Sequence, residues 1–408
     1  MDTANFRDLA VEEFDTRTLL AHAARQAEQR HYEDFFICDV DGHHWEVAAF
    51  PQISDYIEDP IIRQQAKYQG YGGGGLTAPT GYYQNMAGRV TRADGSRKEV
   101  LGPGEQRDRT LTRRWMDAMG VDAVCLFPTP MLGLPFTPRP DVEVAWSRAY
   151  NRWLTETVLV EEPQIKSSLY LPMSDPEAAF RMVQDFGDKK GVIGFTIIAS
   201  TLRPVTDNLY VKTYAALQER NLPLVFHAGL TWGQNQNFTL CRRFMAAHAL
   251  SFSFSNILHM TNWLCDAMPE RFPRLRTVWV EAGLAWVPFV MQRLDNEYMM
   301  RSSEVPGLKH KPSDYMRKMY FSSQPMEGVD NREALEVTFK MMNAETQLMY
   351  SSDYPHWDMD LPSTIYDLPF VSEQGKRNIL GGNAQRVFNL DGALGQGKMA
   401  KRAARATS

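Results

Sequence analysis

Residues Phe35 to Trp45 read FFICDVDGHHW, and this stretch decides the fold. Its apolar run ends in Asp41, Gly42 and His43, which is typical of a short buried strand whose last residues become polar. Because side chains alternate between the two faces of a strand, Asp41 and His43 point the same way, and Gly42 lets the backbone bend between them. Two metal-ligating residue types in this arrangement form half of a metal site.

Three other apolar runs end in the same manner. LPLVFHAG (222–229) carries His227, LRTVWVEAG (275–283) carries Glu281, and LMYSSDYPH (348–356) carries Asp353. In parallel α/β folds, and above all in the (β/α)8 barrel, the carboxyl ends of the strands meet at one mouth and build the active site. We therefore expect these three side chains to meet Asp41 and His43 there.

Composition describes a globular chain without a nucleic-acid footprint. The 408 residues are 44% hydrophobic and 23% charged, and the net charge is −5. That balance provides no basic surface for nucleic acid. The four cysteines have no CxxC spacing, which predicts reduced core residues in a cytoplasmic protein. A signal peptide and an apolar run of about 20 residues are both missing, so we predict no membrane partner.

Alternating strand and helix patterns from residue 108 onward predict the domain organisation. Residues 1–34 are predicted to form an N-terminal helical arm, and residues 35–392 an α/β domain of the (β/α)8 (TIM) barrel class. Residues 50–107 have poor periodicity and contain YGGGGLTAP, which predicts a long insertion that acts as a lid over the mouth. The basic tail, 393–408, is predicted to be disordered.

Taken together, these motifs resemble the amidohydrolase-related family of the amidohydrolase superfamily. The matching stretches are the D-x-H of Asp41 and His43, RRWMDAMGVDAVCLFPTP (113–130), the strand with His227, ERFPRLR (270–276), EAGLAWVPFVMQRLD (281–295) and SSDYPHWD (351–358). Each motif alone is modest, but their order and spacing are specific. The resemblance implies a distorted (β/α)8 barrel with one or two divalent metals at its mouth.

The resemblance also implies a set of ligands. By this likeness Asp41, His43, His227 and Asp353 bind a metal, and Asp353 exchanges a proton with the reacting groups. A carboxylate in place of the first histidine of the usual H-x-H is similar to the γ-resorcylate and 5-carboxyvanillate decarboxylases.

Glu281 departs from many relatives, including the aminocarboxymuconate semialdehyde decarboxylases, which have a histidine here. The E-x-G sequence resembles a sub-branch that includes the 2-aminoisobutyrate hydroxylase system. If Glu281 points into the mouth, it makes three carboxylates with Asp41 and Asp353. One divalent ion then leaves a net charge of about −1 and two leave about +1, which favours a dinuclear centre, and oxygen-rich ligation favours Mn or Fe over Zn. The alternative is a Glu281 held by an arginine or by backbone.

Four further histidines and three residues near the ligands are candidates for the active site or its surroundings. His259 lies in the helical stretch NILHMTNWL, where the resemblance places a catalytic histidine, so it is either a proton donor, a ligand of a second metal, or a structural residue. His356 belongs to SDYPH and is expected to support the ligands. His44 alternates away from His43 and is expected to be structural, whereas His248 stays open. Residues that flank the ligands and could line the pocket are Trp232, Asn235 and Trp286, with packing as the alternative for both tryptophans.

The predicted function is that of a metal-dependent enzyme acting on a small carboxylate-bearing substrate by hydrolysis or non-oxidative decarboxylation. One alternative is a dinuclear Mn/Fe oxygenase, a hydroxylase that works with a homologous partner chain. Another is the structural, non-catalytic subunit of such a pair. The cofactor is one or two divalent ions per chain, with Mn or Fe favoured and Zn possible. The resemblance implies a dimer, either a homodimer or a heterodimer with a homologous chain.

Overall fold

In a computed structural model, eight parallel strands follow one another in chain order around a single sheet. The structure describes residues 16–69, 101–198, 203–229, 240, 241, 243–327, 331–356, 358–391 and 394. The strands are β1 Cys38–His44, β2 Ala123–Pro128, β3 Ile165–Tyr170, β4 Val192–Ile198, β5 Leu224–His227, β6 Thr277–Val280, β7 Tyr320–Ser322 and β8 Leu348–Met349.

Helices connect the strands and cover the outside of the sheet. In the first half of the chain they are α1 Thr16–Gln29, α2 Phe50–Asp55, α3 Pro60–Gln69, α4 Arg107–Met119, α5 Pro140–Trp153, α6 Pro176–Phe186 and α7 Val211–Glu219. In the second half they are α8 Phe244–Cys265, α9 Met268–Arg271, α10 Trp286–Arg301, α11 Pro312–Met316, α12 Arg332–Met341, α13 Ala344–Gln347, α14 Ser363–Tyr366, α15 Glu373–Arg377 and α16 Asn383–Phe388. Helical turns at Leu154–Leu159 and Asn378–Gly382 extend α5 and α15.

The chain that follows β8 runs beside β1 and closes the sheet into a barrel. Val40 donates its backbone N–H to the Tyr350 carbonyl (3.0 Å), and Asp353 donates its own to the Asp41 carbonyl (2.8 Å). The buried Asp39 side chain accepts the backbone N–H of Ser352 at 2.9 Å. The predicted (β/α)8 barrel is therefore confirmed.

Side-chain alternation along the strands separates two apolar cores. On β5, Val225 belongs to the cluster inside the barrel, whereas Phe226 packs outward, stacked on Trp279 at a ring-centroid distance of 4.1 Å. At the amino-terminal end of the barrel, Val387 and Phe388 of α16 join the inner cluster. Since apolar side chains fill the lower interior, polar side chains collect at the carboxyl ends of the strands.

The N-terminal arm is helical over its described part, and α1 packs on α4 outside the barrel. Arg30, just after α1, forms an ion pair with Asp367 (Nη2 to Oδ2, 2.6 Å). No helix among the described residues is long and apolar enough to span a membrane.

The predicted insertion at 50–107 contains regular structure that its poor periodicity did not indicate. Helices α2 and α3 occupy its first part, and Asp59 starts α3 by accepting the backbone N–H of Ile61 and Ile62 (2.8 and 2.9 Å). An Asp-Pro pair is a recognised helix start, so this local signal was present in the sequence. Residues 70–100 and all of the predicted tail except residue 394 lie outside the described part of the chain.

Gly42 lies where β1 meets β2 and α4 most closely. The pairing of β1 with β2 shifts its register between Asp39 and Gly42, which agrees with the predicted bend. A Cβ atom on Gly42 would lie 2.7 Å from Cγ2 of Val124 and 2.9 Å from the ring of Trp115. Both neighbours are buried, so they have little room to move away.

We expect Gly42→Ala to destabilise the fold by about 1–3 kcal/mol, because an added methyl group overpacks this contact. A suitable control is Gly382→Ala, where the nearest heavy atom would be 3.4 Å away. Thermal unfolding of the purified variants measures the effect. Equal unfolding midpoints for the two variants would contradict the predicted close packing.

Candidate metal centre

The side chains at the strand ends come together at the mouth of the barrel. Asp41 and His43 lie on β1 and His227 is the last residue of β5, while Glu281 follows β6 directly and Asp353 follows β8 by four residues. All five side chains are buried. The barrel geometry thus brings together five residues whose first and last members, Asp41 and Asp353, are 312 positions apart in sequence.

Two of these carboxylates are on backbone of unusual conformation. Glu281 and Asp353 have φ angles of 57° and 56°, in the left-handed region that costs a non-glycine residue about 1–3 kcal/mol. Hydrogen bonds hold both in place: the Glu281 N–H is donated to Ser322 Oγ (3.0 Å) and the Asp353 N–H to the Asp41 carbonyl (2.8 Å). Such strain turns both carboxylates toward the mouth and is typical of functional sites.

Ligand-type atoms approach one another closely. His43 Nε2 is 3.2 Å from Oδ1 of Asp41 and 3.2 Å from Oδ1 of Asp353. His227 Nε2 is also 3.2 Å from Asp41 Oδ1, and Glu281 Oε2 is 3.4 Å from His227 Nδ1. One donor atom from each of Asp41, His43, His227 and Glu281 lies within 4.8 Å of the others. A single ion could be bound by atoms at this spacing.

Backbone carbonyls orient the two histidine rings. His43 Nδ1 donates to the Pro128 carbonyl at 2.8 Å, and His227 Nδ1 donates to the Ala228 carbonyl at 2.7 Å. With the proton on Nδ1, the lone pair of a neutral ring is on Nε2, which faces the carboxylates. This is the usual support for a metal-binding histidine.

The donor set fits a divalent cation. Asp41 Oδ2, Glu281 Oε2, Asp353 Oδ2 and His43 Nε2 are buried without a hydrogen-bond partner. Within the described ranges, neither lysine nor arginine pairs with any of the three carboxylates, so the alternative of a Glu281 held by arginine finds no support there. Buried carboxylates without positive charge are costly, and a bound metal would compensate them.

The protonation tendencies of the group follow from burial and mutual charge. Burial lowers the pKa of His43, but the Asp353 and Asp41 carboxylates, each with an oxygen 3.2 Å from Nε2, outweigh it and raise that pKa to about 10. For Asp41, burial raises the pKa, yet His227 and His43 hold it below its usual range. Burial raises the pKa of Glu281, and the nearby Asp353 and Asp41 raise it further. The protein without a metal therefore keeps protons that a cation would displace.

His356 belongs to this centre more closely than its predicted supporting role suggested. Its Nδ1 donates to Asp353 Oδ1 at 2.6 Å, and its ring centroid is 4.4 Å from that of His43. His43, Asp353 and His356 form a second group that could hold a metal, and this group shares His43 with the first one. Its position three residues after Asp353 was the sequence signal.

His259 is not brought to either group of possible ligands among the described residues. The ring is buried and lies against Phe226, 6.1 Å between centroids, in the apolar layer between β5 and α8. Phe226 faces outward from β5 while His227 faces the mouth, so this contact of His259 is on the outer side of the barrel. Its predicted role as a proton donor or as a ligand of a second metal stays a prediction. Burial lowers the pKa of His259 to about 4. A structural role, the alternative weighed from the sequence, agrees with this placement.

The other sequence-predicted residues have mixed outcomes. Trp286 is buried in the outer core and donates its indole N–H to the Gly283 carbonyl at 2.9 Å, which supports the turn after Glu281. Trp232 and Asn235 lie outside the described residues. His44 points away from the mouth, as its alternation predicts, and contacts Asp108 and Tyr150 (3.0 and 2.8 Å).

Three residues at the mouth escaped the sequence reasoning. Asp358 lies within SSDYPHWD, and its Oδ2 is 3.8 Å from Nε2 of His248 on α8. Glu46 and Thr129 flank β1 and β2, and both are buried. A charged residue two positions after a ligand-bearing strand was the signal available for Glu46.

Comparisons with known proteins agree with this geometry. A family model described as amidohydrolase matches residues 38–390. The γ-resorcylate decarboxylase of Rhizobium sp. (strain MTP-10005) is 22% identical over 288 residues, which are 68% of this chain and 86% of that protein.

Two solved structures share the fold. The 5-carboxyvanillate decarboxylase of Novosphingobium aromaticivorans, solved with manganese and 4-hydroxy-3-methoxy-5-nitrobenzoic acid, has a TM-score of 0.64 at 19% identity, covering 88% of this chain and 97% of that one. The dihydroxybenzoic acid decarboxylase of Polaromonas sp. JS666, solved with manganese and 2-nitroresorcinol, has a TM-score of 0.59 at 17% identity, covering 87% and 97%.

Adjacent histidines on β1 provide a matched test of the metal site. We expect His43→Gln to lower the metal content of the purified protein, because it removes an inward ligand atom. We expect His44→Gln to retain the metal but to unfold at lower temperature, because it disturbs the buried contacts with Asp108 and Tyr150. Elemental analysis and thermal unfolding measure the two effects. Equal metal loss in both variants would contradict the assignment of faces.

Proposed function

The chain belongs to the amidohydrolase family, and from this premise we propose that it is a metal-dependent carboxy-lyase. The proposed reaction is the non-oxidative decarboxylation of a small aromatic acid that carries a hydroxyl group next to the carboxylate. The observation that carries the proposal is the convergence of four side chains at the barrel mouth: His43 Nε2 lies 3.2 Å from carboxylate oxygens of both Asp41 and Asp353, and His227 Nε2 lies 3.2 Å from Asp41. Asp41 Oδ2 and Asp353 Oδ2 are buried there without a hydrogen-bond partner. The relatives named above, which act on substituted benzoates, support this substrate class.

The metal ligands in this proposal are the Nε2 atoms of His43 and His227 and carboxylate oxygens of Asp41 and Asp353. A divalent ion supplies Lewis-acid binding of the substrate carboxylate and its neighbouring oxygen. Oxygen-rich ligation favours Mn, the metal in both decarboxylase structures described above. Glu281 borders the same space, with Oε2 3.4 Å from His227 and Oε1 3.9 Å from His356.

Asp353 is the proposed proton donor and acceptor. His356 holds Oδ1 at 2.6 Å, while Oδ2 is buried without a partner. In decarboxylation the bond between the ring carbon and the carboxylate breaks, carbon dioxide leaves, and the electron pair remains on the ring carbon. A proton delivered from the carboxyl group of Asp353 to that carbon would complete the decarboxylation, a general-acid step. The Asp353 carboxylate would then take up a proton from water before the next turnover.

Hydrolysis, the other reaction predicted for this family, would use the same residues, with Asp353 taking a proton from water. The three decarboxylases compared above favour carbon dioxide release over hydrolysis. None of those three is an oxygenase, and we do not propose oxygenation or a purely structural subunit. The two groups of possible ligands share His43, so the site could bind one or two ions per chain. Elemental analysis of the purified protein measures this number. Pairing as a homodimer, or with a homologous chain, stays a prediction.

Metal removal tests the proposed reaction. We expect dialysis against a chelator to abolish carbon dioxide release from 2,6-dihydroxybenzoate or 5-carboxyvanillate, and added Mn²⁺ to restore it, because carboxylate binding depends on the ion. Asp353→Asn, reloaded with Mn²⁺, should lose at least about 100-fold in turnover because the amide cannot deliver the proton. Gas-phase carbon dioxide and metal per chain are the measurements.

A surface variant, His31→Gln, serves as the control, since its side chain is 72% exposed. Carbon dioxide release that persists in verified metal-free protein would contradict the proposal. Oxygen consumption coupled to substrate loss would instead support the oxygenase alternative.

A further inference from the structure

The side chain of Glu46 holds the loop that follows β2. Glu46 comes two residues after β1 and is fully buried. Its Oε2 accepts the backbone N–H of Thr129 at 3.0 Å, and its Oε1 accepts that of Met131 at 2.7 Å. The Glu46 carboxylate therefore holds this loop by two of its backbone N–H groups.

That loop contacts two members of the metal group. The Pro128 carbonyl accepts Nδ1–H of His43 at 2.8 Å. The Thr129 hydroxyl lies 3.3 Å from Nε2 of His356. Residues 128 and 129 thus orient one histidine each.

His356 transmits its position to Asp353. Since its Nδ1 donates to Asp353 Oδ1 at 2.6 Å, Nε2 of the neutral ring is free of hydrogen and accepts from the Thr129 hydroxyl. Its ring also lies against His43, with centroids 4.4 Å apart. A shift of the loop would therefore move both His43 and Asp353.

We propose that Glu46 is a positioning residue of the metal centre, acting through Pro128 on His43 and through Thr129 and His356 on Asp353. This inference rests on the proposed metal binding, and it adds a residue that touches neither metal nor substrate. The chemistry explains the residue type, because two converging N–H donors require two acceptor oxygens. An amide would turn its NH₂ group toward one of those donors and lose that contact.

Another buried glutamate provides a matched control. Glu143 on α5 accepts the Tyr170 hydroxyl at 2.7 Å and the Ser174 backbone N–H at 3.1 Å. Like Glu46, Glu143 is buried, and it holds the segment of chain that follows a strand, which in this case is β3. The metal group is not among these contacts, so Glu143 separates general loop stabilisation from positioning.

The experiment is a calorimetric titration of Mn²⁺ alone into metal-free full-length protein. Thermal unfolding of each metal-free variant is measured beside it. We expect Glu46→Gln to weaken Mn²⁺ binding about 10- to 100-fold, the usual effect of losing a supporting contact behind the ligands. Glu143→Gln should lower the unfolding temperature by a similar amount and leave Mn²⁺ affinity within about 2-fold of wild type.

A second variant addresses the route through the loop. Thr129→Val keeps the backbone N–H on Glu46 but removes the hydroxyl beside His356. We expect Thr129→Val to weaken Mn²⁺ binding less than Glu46→Gln does. The double variant should bind Mn²⁺ about as well as Glu46→Gln alone, because both changes break the same chain of contacts. If Glu46→Gln does not fold, Thr129→Val alone decides the route.

The outcomes are distinguishable. Wild-type Mn²⁺ affinity in Glu46→Gln, or in Thr129→Val where that variant alone is available, would overturn the positioning role. Equal weakening in Glu143→Gln would do so too, since it would indicate a general loss of rigidity. Absence of Mn²⁺ binding in the wild type itself would overturn the proposed function and, with it, this inference.

Discussion

Burial of three carboxylates at one barrel mouth is the constraint on which the rest of this structure depends. Asp41, Glu281 and Asp353 are 0%, 4% and 1% exposed. Charges removed from water cost several kcal/mol each unless they are paired. Among the described neighbours only histidines accompany them, and these are neutral when they act as ligands. A divalent cation would compensate these charges, so stability and function are expected to depend on the same ion.

The backbone is arranged to meet that constraint. Left-handed conformations at Glu281 and Asp353 turn their side chains toward the mouth, and the hydrogen bonds that their backbone N–H groups donate to Ser322 Oγ and to the Asp41 carbonyl hold them there. Carbonyl groups of Pro128 and Ala228 fix the two histidine rings. His43, His227, Glu281 and Asp353 are therefore each held through a ring nitrogen or a backbone N–H, which reduces the cost of ordering the site when an ion binds.

Glu281 and His356 add to the four proposed ligands Asp41, His43, His227 and Asp353 at this centre. At 17–19% identity the two solved structures described above share the barrel fold. Here Glu281 adds a third carboxylate and His356 adds a ring that contacts both Asp353 and His43. With three carboxylates, the net charge of the centre depends on whether one or two divalent ions bind. That net charge is what a substrate carboxylate meets when it enters the site.

The sequence by itself determined the barrel and the five strand-end residues Asp41, His43, His227, Glu281 and Asp353. The physical reason is local: apolar runs have a period of two, and parallel strands place their carboxyl ends together. The poor periodicity of residues 50–107 hid α2 and α3, although Asp59 already marked the start of a helix.

Only the tertiary structure decided which further residues join the centre. From the sequence, His259 was expected to be a proton donor, a metal ligand or a structural residue, and His356 to support the ligands. In the folded chain His259 lies against Phe226 on the outer side of β5, whereas His356 contacts Asp353. The contact between Glu46 and Thr129 joins residues 83 positions apart, and no local pattern indicates it. Side-chain direction on helices and loops depends on how whole elements pack, and this packing is a property of the folded chain.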